Sequence, residues 1–142
     1  MLTFDSMETI RTIYTGELRT EVTHVKSGVK IITDAPIDNQ GKGESFSPSD
    51  LLTAALGSCM VTIMGIASRT HNINIDGTNL RITKVMASNP RRVSEVHVEF
   101  DMPDIRYSEK EKTILDQAAR TCPVGLSLHP DLKQIVKFNY GE

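Results

Sequence analysis

Tryptophan is absent from the 142 residues and aromatic side chains make up only 5%. That is too few for the stacking platforms on which proteins hold bases or sugars. No five-residue block of one charge sign occurs, and 16 basic against 18 acidic side chains leave a net charge of -2. An electrostatic footprint for nucleic acid is therefore missing. Two cysteines are too few to staple a secreted scaffold. The four histidines, His24, His71, His97 and His129, form neither HExxH nor a Cys/His zinc spacing, so no metal is expected. There is no P-loop and no GxGxxG, and Gly41, Gly43 and Gly57 do not compose a nucleotide loop, so no cofactor is expected either. The segment MLTFDSMETIRT carries acids and lacks an apolar core, which reads against a signal peptide. The expected compartment is the reducing cytoplasm, where a pair of cysteines is more often chemical than structural.

What is present is an ordinary globular balance, 39% hydrophobic and 24% charged, in a length that fits a single domain over residues 1–142. Thr9–Tyr14, Arg19–Val25 and Val29–Thr33 are rich in β-branched residues and read as an antiparallel meander, with turns expected at Thr15-Gly16 and Lys26-Ser27-Gly28. The following DAPIDNQGKGESFSPSD is a long loop, of the kind that often carries function. A helix then opens on Ser47 as N-cap, Pro48 at N1 and Asp50 at N3, a capping box with Asp in place of Glu. Leu52, Ala55, Leu56, Cys59, Ile63, Ile66 and Ala67 repeat at the helical period and define its expected apolar stripe, and the helix should end near 69–72.

From Leu51 to Ser68 no residue is charged. The run reaches the lower length limit for a membrane span. Two Gly, two Thr and two Ser within it, with Asp50 and Arg69 abutting it, favour a buried core helix and no membrane. Leu80–Ala87 and Val93–Phe100 alternate as a hairpin around an Asn89-Pro90 turn. Ser108 and Glu111 form a capping box for a second helix with Ile114, Leu115, Ala118 and Ala119 as its stripe, stopping near Thr121 ahead of Pro123. Another helical turn is expected in LSLHPDLK, and Gln134–Tyr140 reads as a terminal strand. Strands in groups separated by single helices indicate α+β, not a doubly wound sheet.

Cys59 lies within the long helix and Cys122 at the end of the second one. Composition alone reads each as readily as a buried, inert thiol. Were they to meet within about 6 Å between Cα atoms, they could form and reopen a disulfide. A thiolate there needs a cation, for which Arg19 and Arg11 are candidates, and Asp50 or Glu44 could orient such an arginine.

The stretch FSPSDLLTAALGSCM at 46–60 and TCPVGLSL at 121–128 together resemble the two cysteine motifs of the OsmC/Ohr family, linked to osmotic induction and organic hydroperoxide resistance. The element order is similar as well. The resemblance implies an OsmC-like α+β fold in an intertwined homodimer, with the long helix buried by both subunits. It implies a cysteine-based peroxidase in which Cys59 attacks an organic hydroperoxide, or hydrogen peroxide, and becomes a sulfenic acid. Cys122 resolves it to a disulfide, and an external dithiol, such as a lipoyl or thioredoxin-type protein, recycles it. It further implies that Arg19 pairs with the Cys59 thiolate. Ser49 stands where the peroxidase branches place a Glu to hold that arginine, which leaves Asp50 or Glu44 for the task. The other reading is the same scaffold used to bind a small apolar ligand or to sense redox state, with little turnover.

Overall fold

The computed structural model describes residues 8–141. By its internal contacts the chain divides into two compact units, one ending at Leu51 and one beginning at Leu52.

The first unit holds β1 (Ile10–Gly16), β2 (Arg19–His24) and β3 (Lys30–Asp34) in an antiparallel meander of order β1-β2-β3. The first turn falls two residues later than the composition suggests. Glu17 and Leu18 occupy it, both in the left-handed region at φ 55 and 62, the backbone that a two-residue hairpin needs to match strand twist. Neither residue advertises that conformation, which is why Thr15-Gly16 looked the better turn. The second turn lies where expected, with Gly28 N–H donating to the His24 carbonyl at 2.8 Å. After a short 3-10 turn at Ile37–Asn39, the long loop returns to the sheet: Phe46 bridges Thr33 in parallel, and Asp34 N–H donates to the Phe46 carbonyl at 2.9 Å.

Helix α1 runs Pro48–His71. Its cap is the reciprocal one expected: Ser47 Oγ accepts from Asp50 N–H at 3.1 Å, and Ser47 N–H donates to Asp50 Oδ2 at 3.0 Å. In the second unit, β4 (Asn79–Ala87) and β5 (Arg92–Asp101) pair antiparallel. Helix α2 (Glu109–Arg120) and the short α3 (Pro123–Ser127) follow, and β6 (Lys133–Asn139) pairs with β5 in parallel. Ser108 and Glu111 form the expected capping box on α2. The additional helical turn lies earlier than LSLHPDLK. It begins at Pro123, because a proline that ends one helix is equally suited to the first position of the next.

Alternation in β5 buries Val96, Val98 and Phe100 and turns His97, Glu99 and Asp101 to the opposite face. Against that apolar face pack Leu56, Met60 and Met64 of α1, and Leu115 and Ala119 of α2. The buried stripe of α1 thus runs through Thr53, Leu56, Gly57, Met60, Met64 and Ser68, which keeps the expected Leu56, leaves Cys59 and Ile63 packed at its edge and excludes the expected Leu52, Ala55 and Ile66. Leu52 and Ile66 are exposed. A helix apolar nearly all round has no unique stripe to read, so its neighbours decide the face. Gly57 shows the fit: a Cβ there would stand 2.3 Å from Ile82 Cδ1 of β4. By length and composition α1 could cross a membrane, yet a third of its most apolar window is buried in the chain's own fold.

Candidate active site

Within the second unit the two cysteines meet. Cys59 lies half-buried on α1, next to the buried Met60. Cys122 is 1% exposed and occupies the N-cap of α3, with Pro123 at N1. Gly125 N–H donates to Cys122 Sγ at 3.2 Å, and the Cys59 side chain lies close enough to Cys122 to perturb its thiol. Both are free thiols. Burial pushes the Cys122 thiol above its ordinary pKa, the neighbouring Cys59 adds to that, and the Gly125 and Val124 amides oppose it. Chemically this is a pair of neighbouring thiols, one half-buried and the other dry and accepting a backbone N–H.

In the first unit Arg19 heads β2 and stands opposite Asp34 in the β2–β3 register. Their bond is bidentate, Nε to Oδ1 at 2.7 Å and Nη2 to Oδ2 at 2.9 Å, the geometry that fixes a guanidinium most firmly. The Asp34 carboxylate is fully buried and also accepts Glu44 N–H at 3.1 Å. Arg19 holds its carboxyl below the usual aspartate value, against the opposing effect of burial. Glu44 Oε1 stands 3.8 Å from the same Arg19 Nη2 that bonds Asp34, with its side chain mostly in solvent.

The sequence named Asp50 and Glu44 as holders of the arginine; Asp34, which does most of the holding, was missed. Asp50 serves the helix cap. Arg11 is exposed and pairs with Glu8. Asp34 could have been found from the Lys26-Ser27 turn, since a hairpin centred there sets residue 34 opposite residue 19. Among the described residues no cluster of three or more His, Cys, Asp or Glu is placed to hold a metal.

The family model described as OsmC-like protein matches residues 41–136. A crystal structure from Psychrobacter arcticus, of a protein provisionally named for osmotic stress induction and a detoxification response, is 50% identical. It superposes with a TM-score of 0.90, covering 94% of this chain and 96% of that one. An organic hydroperoxide resistance protein OsmC from Legionella pneumophila is 12% identical with a TM-score of 0.74, covering 94% and 98%. An organic hydroperoxide resistance protein from Elizabethkingia anophelis is 15% identical with a TM-score of 0.69, covering 95% and 98%. At those identities the last two establish a shared fold. No functionally curated protein matches the chain.

Proposed function

The chain belongs to the OsmC-like protein family, and we propose that within it this protein is a thiol peroxidase that reduces organic hydroperoxides. The observation that carries the reading is the contact between Cys59 and Cys122, brought from α1 and from the α2–α3 junction into one corner of an apolar core. The Cys59 thiolate attacks the terminal peroxide oxygen, the O–O bond breaks, the alcohol leaves after taking up a proton, and Cys59 becomes a sulfenic acid. The Cys122 sulfur then attacks Cys59 Sγ, water leaves, and a Cys59–Cys122 disulfide remains. An external dithiol returns both thiols and is itself oxidised to a disulfide. The chemistry lies wholly in sulfur, with no metal or organic cofactor.

Arg19 is the cation that the family resemblance assigns to the thiolate, and within the first unit it is held by its bidentate bond to Asp34. Asp34, with Glu44 beside it, takes the place of the missing Glu at Ser49. The protein acts as a soluble cytoplasmic homodimer on this reading. Exposed Ile10, Ile13 and Tyr14 on β1, and Ile66 on α1, are apolar surface of the kind a second copy covers.

The test is peroxide consumption with cumene hydroperoxide and dihydrolipoate. Wild-type protein should turn over and Cys59→Ser should not. Cys122→Ser should halt at the sulfenic acid or beyond. Turnover surviving in Cys59→Ser refutes the nucleophile. No turnover in wild-type protein, together with a rise in thermal stability on adding a small apolar ligand, would favour the ligand-binding reading.

A further inference from the structure

The bonds around Cys122 extend past the cysteines to a residue that neither motif contains. Gly125 N–H donates to Cys122 Sγ at 3.2 Å, and the carbonyl of the same Gly125 accepts Nε2 of Gln134 at 3.0 Å. Gln134 lies half-buried on β6, where it is registered against Val96 of β5. The donor facing the sulfur is thus anchored by the sheet as well as by α3. Gly125 fits because it has no side chain: a Cβ would stand 2.9 Å from Gln134 Oε1, 3.2 Å from Cys122 Sγ and 3.5 Å from Leu56 Cδ1.

Resting on the disulfide cycle above, we propose that the Cys59–Cys122 bond is opened from one side only: the reductant attacks Cys59, Cys122 leaves, and Gln134 is the positioning residue that prepares Cys122 to leave. Thiol–disulfide exchange needs the attacking sulfur in line with the bond it breaks, so access chooses the target. Cys122 is 1% exposed, while Cys59 is half-buried. The reductant thiolate forms a bond to Cys59 Sγ and the Cys59–Cys122 bond breaks. Its electron pair departs on Cys122 Sγ, which takes a proton from water. The second thiolate of the dithiol then displaces Cys59, closing its own disulfide. The departing charge arrives where the Gly125 amide already points, so no reorganisation is needed as the bond breaks. Burial opposes a thiolate at Cys122, and the bracketed amide counters part of that cost, leaving the thiol above its ordinary pKa.

The experiment uses the full chain oxidised with diamide, so that the disulfide is formed whether or not peroxide is the natural oxidant. Glutathione is added, the free sulfur is trapped with N-ethylmaleimide, and peptide masses locate both labels. Glutathione should be found on Cys59 over Cys122 by about 10-fold or more. Gln134→Ala and Gln134→Glu, whose carboxylate cannot donate to a carbonyl, should each slow opening and shift that ratio toward Cys122. A merely structural role would lower the melting temperature without moving the ratio. Equal labelling, or excess on Cys122, in wild-type protein overturns the direction of attack. An unchanged ratio and rate in both Gln134 variants overturns the role of Gln134, and failure of diamide to form the disulfide overturns the proposal entirely. Failure of peroxide alone to form it would instead remove the peroxidase reading and leave the direction of opening standing.

Discussion

The two units solve opposite problems with reactive groups. In the first, a charge is made permanent: Arg19 is clamped by a buried carboxylate through two hydrogen bonds, and Glu44 adds a second, solvent-screened partner. In the second, charge is withheld: Cys122 sits dry in an apolar core, and burial keeps its thiol protonated above the usual range. The lesson is that a carboxylate is kept ionised in the interior by its partner, whereas a thiol there stays neutral until chemistry calls on it. Each arrangement predicts how it fails.

The largest effect is expected in the second unit, where Cys59→Ser removes the nucleophile and peroxide consumption should fall to the uncatalysed background. Retained turnover would make the half-buried thiol dispensable. Next comes the clamp. Asp34→Asn keeps the shape but not the charge, and should lower the urea unfolding midpoint by more than Glu44→Gln does. If the two substitutions act equally, the buried bidentate bond has no privilege over the exposed contact. Leu56→Ala should cost about 2–5 kcal/mol in urea unfolding, because Leu56 is fully buried in the core of the second unit, beside Gly125. A loss under 1 kcal/mol, outside the range for a buried leucine, would mean the core of the second unit is loosely packed. Ser108→Ala should cost about 1 kcal/mol through its capping box, providing a control that touches neither the arginine clamp nor the cysteines.

The smallest and most diagnostic effect is in pH. Cys122 has its folded pKa raised, so the native state binds the extra proton once the unfolded thiol ionises. The stability this gives is complete below about pH 9 and is lost as pH rises through the folded value. Asp34 has its folded pKa lowered. Its contribution is present above the ordinary aspartate value and is lost as pH falls through the folded one. Urea unfolding across pH should therefore show an alkaline decline absent from Cys122→Ser and an acid decline reduced in Asp34→Asn. The reverse assignment would contradict the comparison.

How much of this was legible follows from which forces are local. The caps at Ser47 and Ser108 are contained within four residues, so sequence reading located both. The α1 stripe depends on which neighbours arrive, and a run without charge gives no local preference, so the expected face holds at Leu56, Cys59 and Ile63 and fails at Leu52, Ala55 and Ile66. Asp34 was missed because it ends a strand and begins a loop rich in Asp, Asn and Gly, where it looks like one more turn residue. Only the hairpin register, fixed by the Lys26-Ser27-Gly28 turn, singles it out. The cysteines were legible as motifs. The Gln134–Gly125 bracket was not, because it joins β6 to α3 and leaves no periodic signal in either.

The central claim is that Cys59 and Cys122 form a peroxide-driven disulfide, and intact mass with a free-thiol count tests it most directly. Reduced protein given one equivalent of cumene hydroperoxide should lose both thiols and about 2 Da per chain, with no oxygen added. Two thiols still free after several minutes, at unchanged mass, would contradict the account.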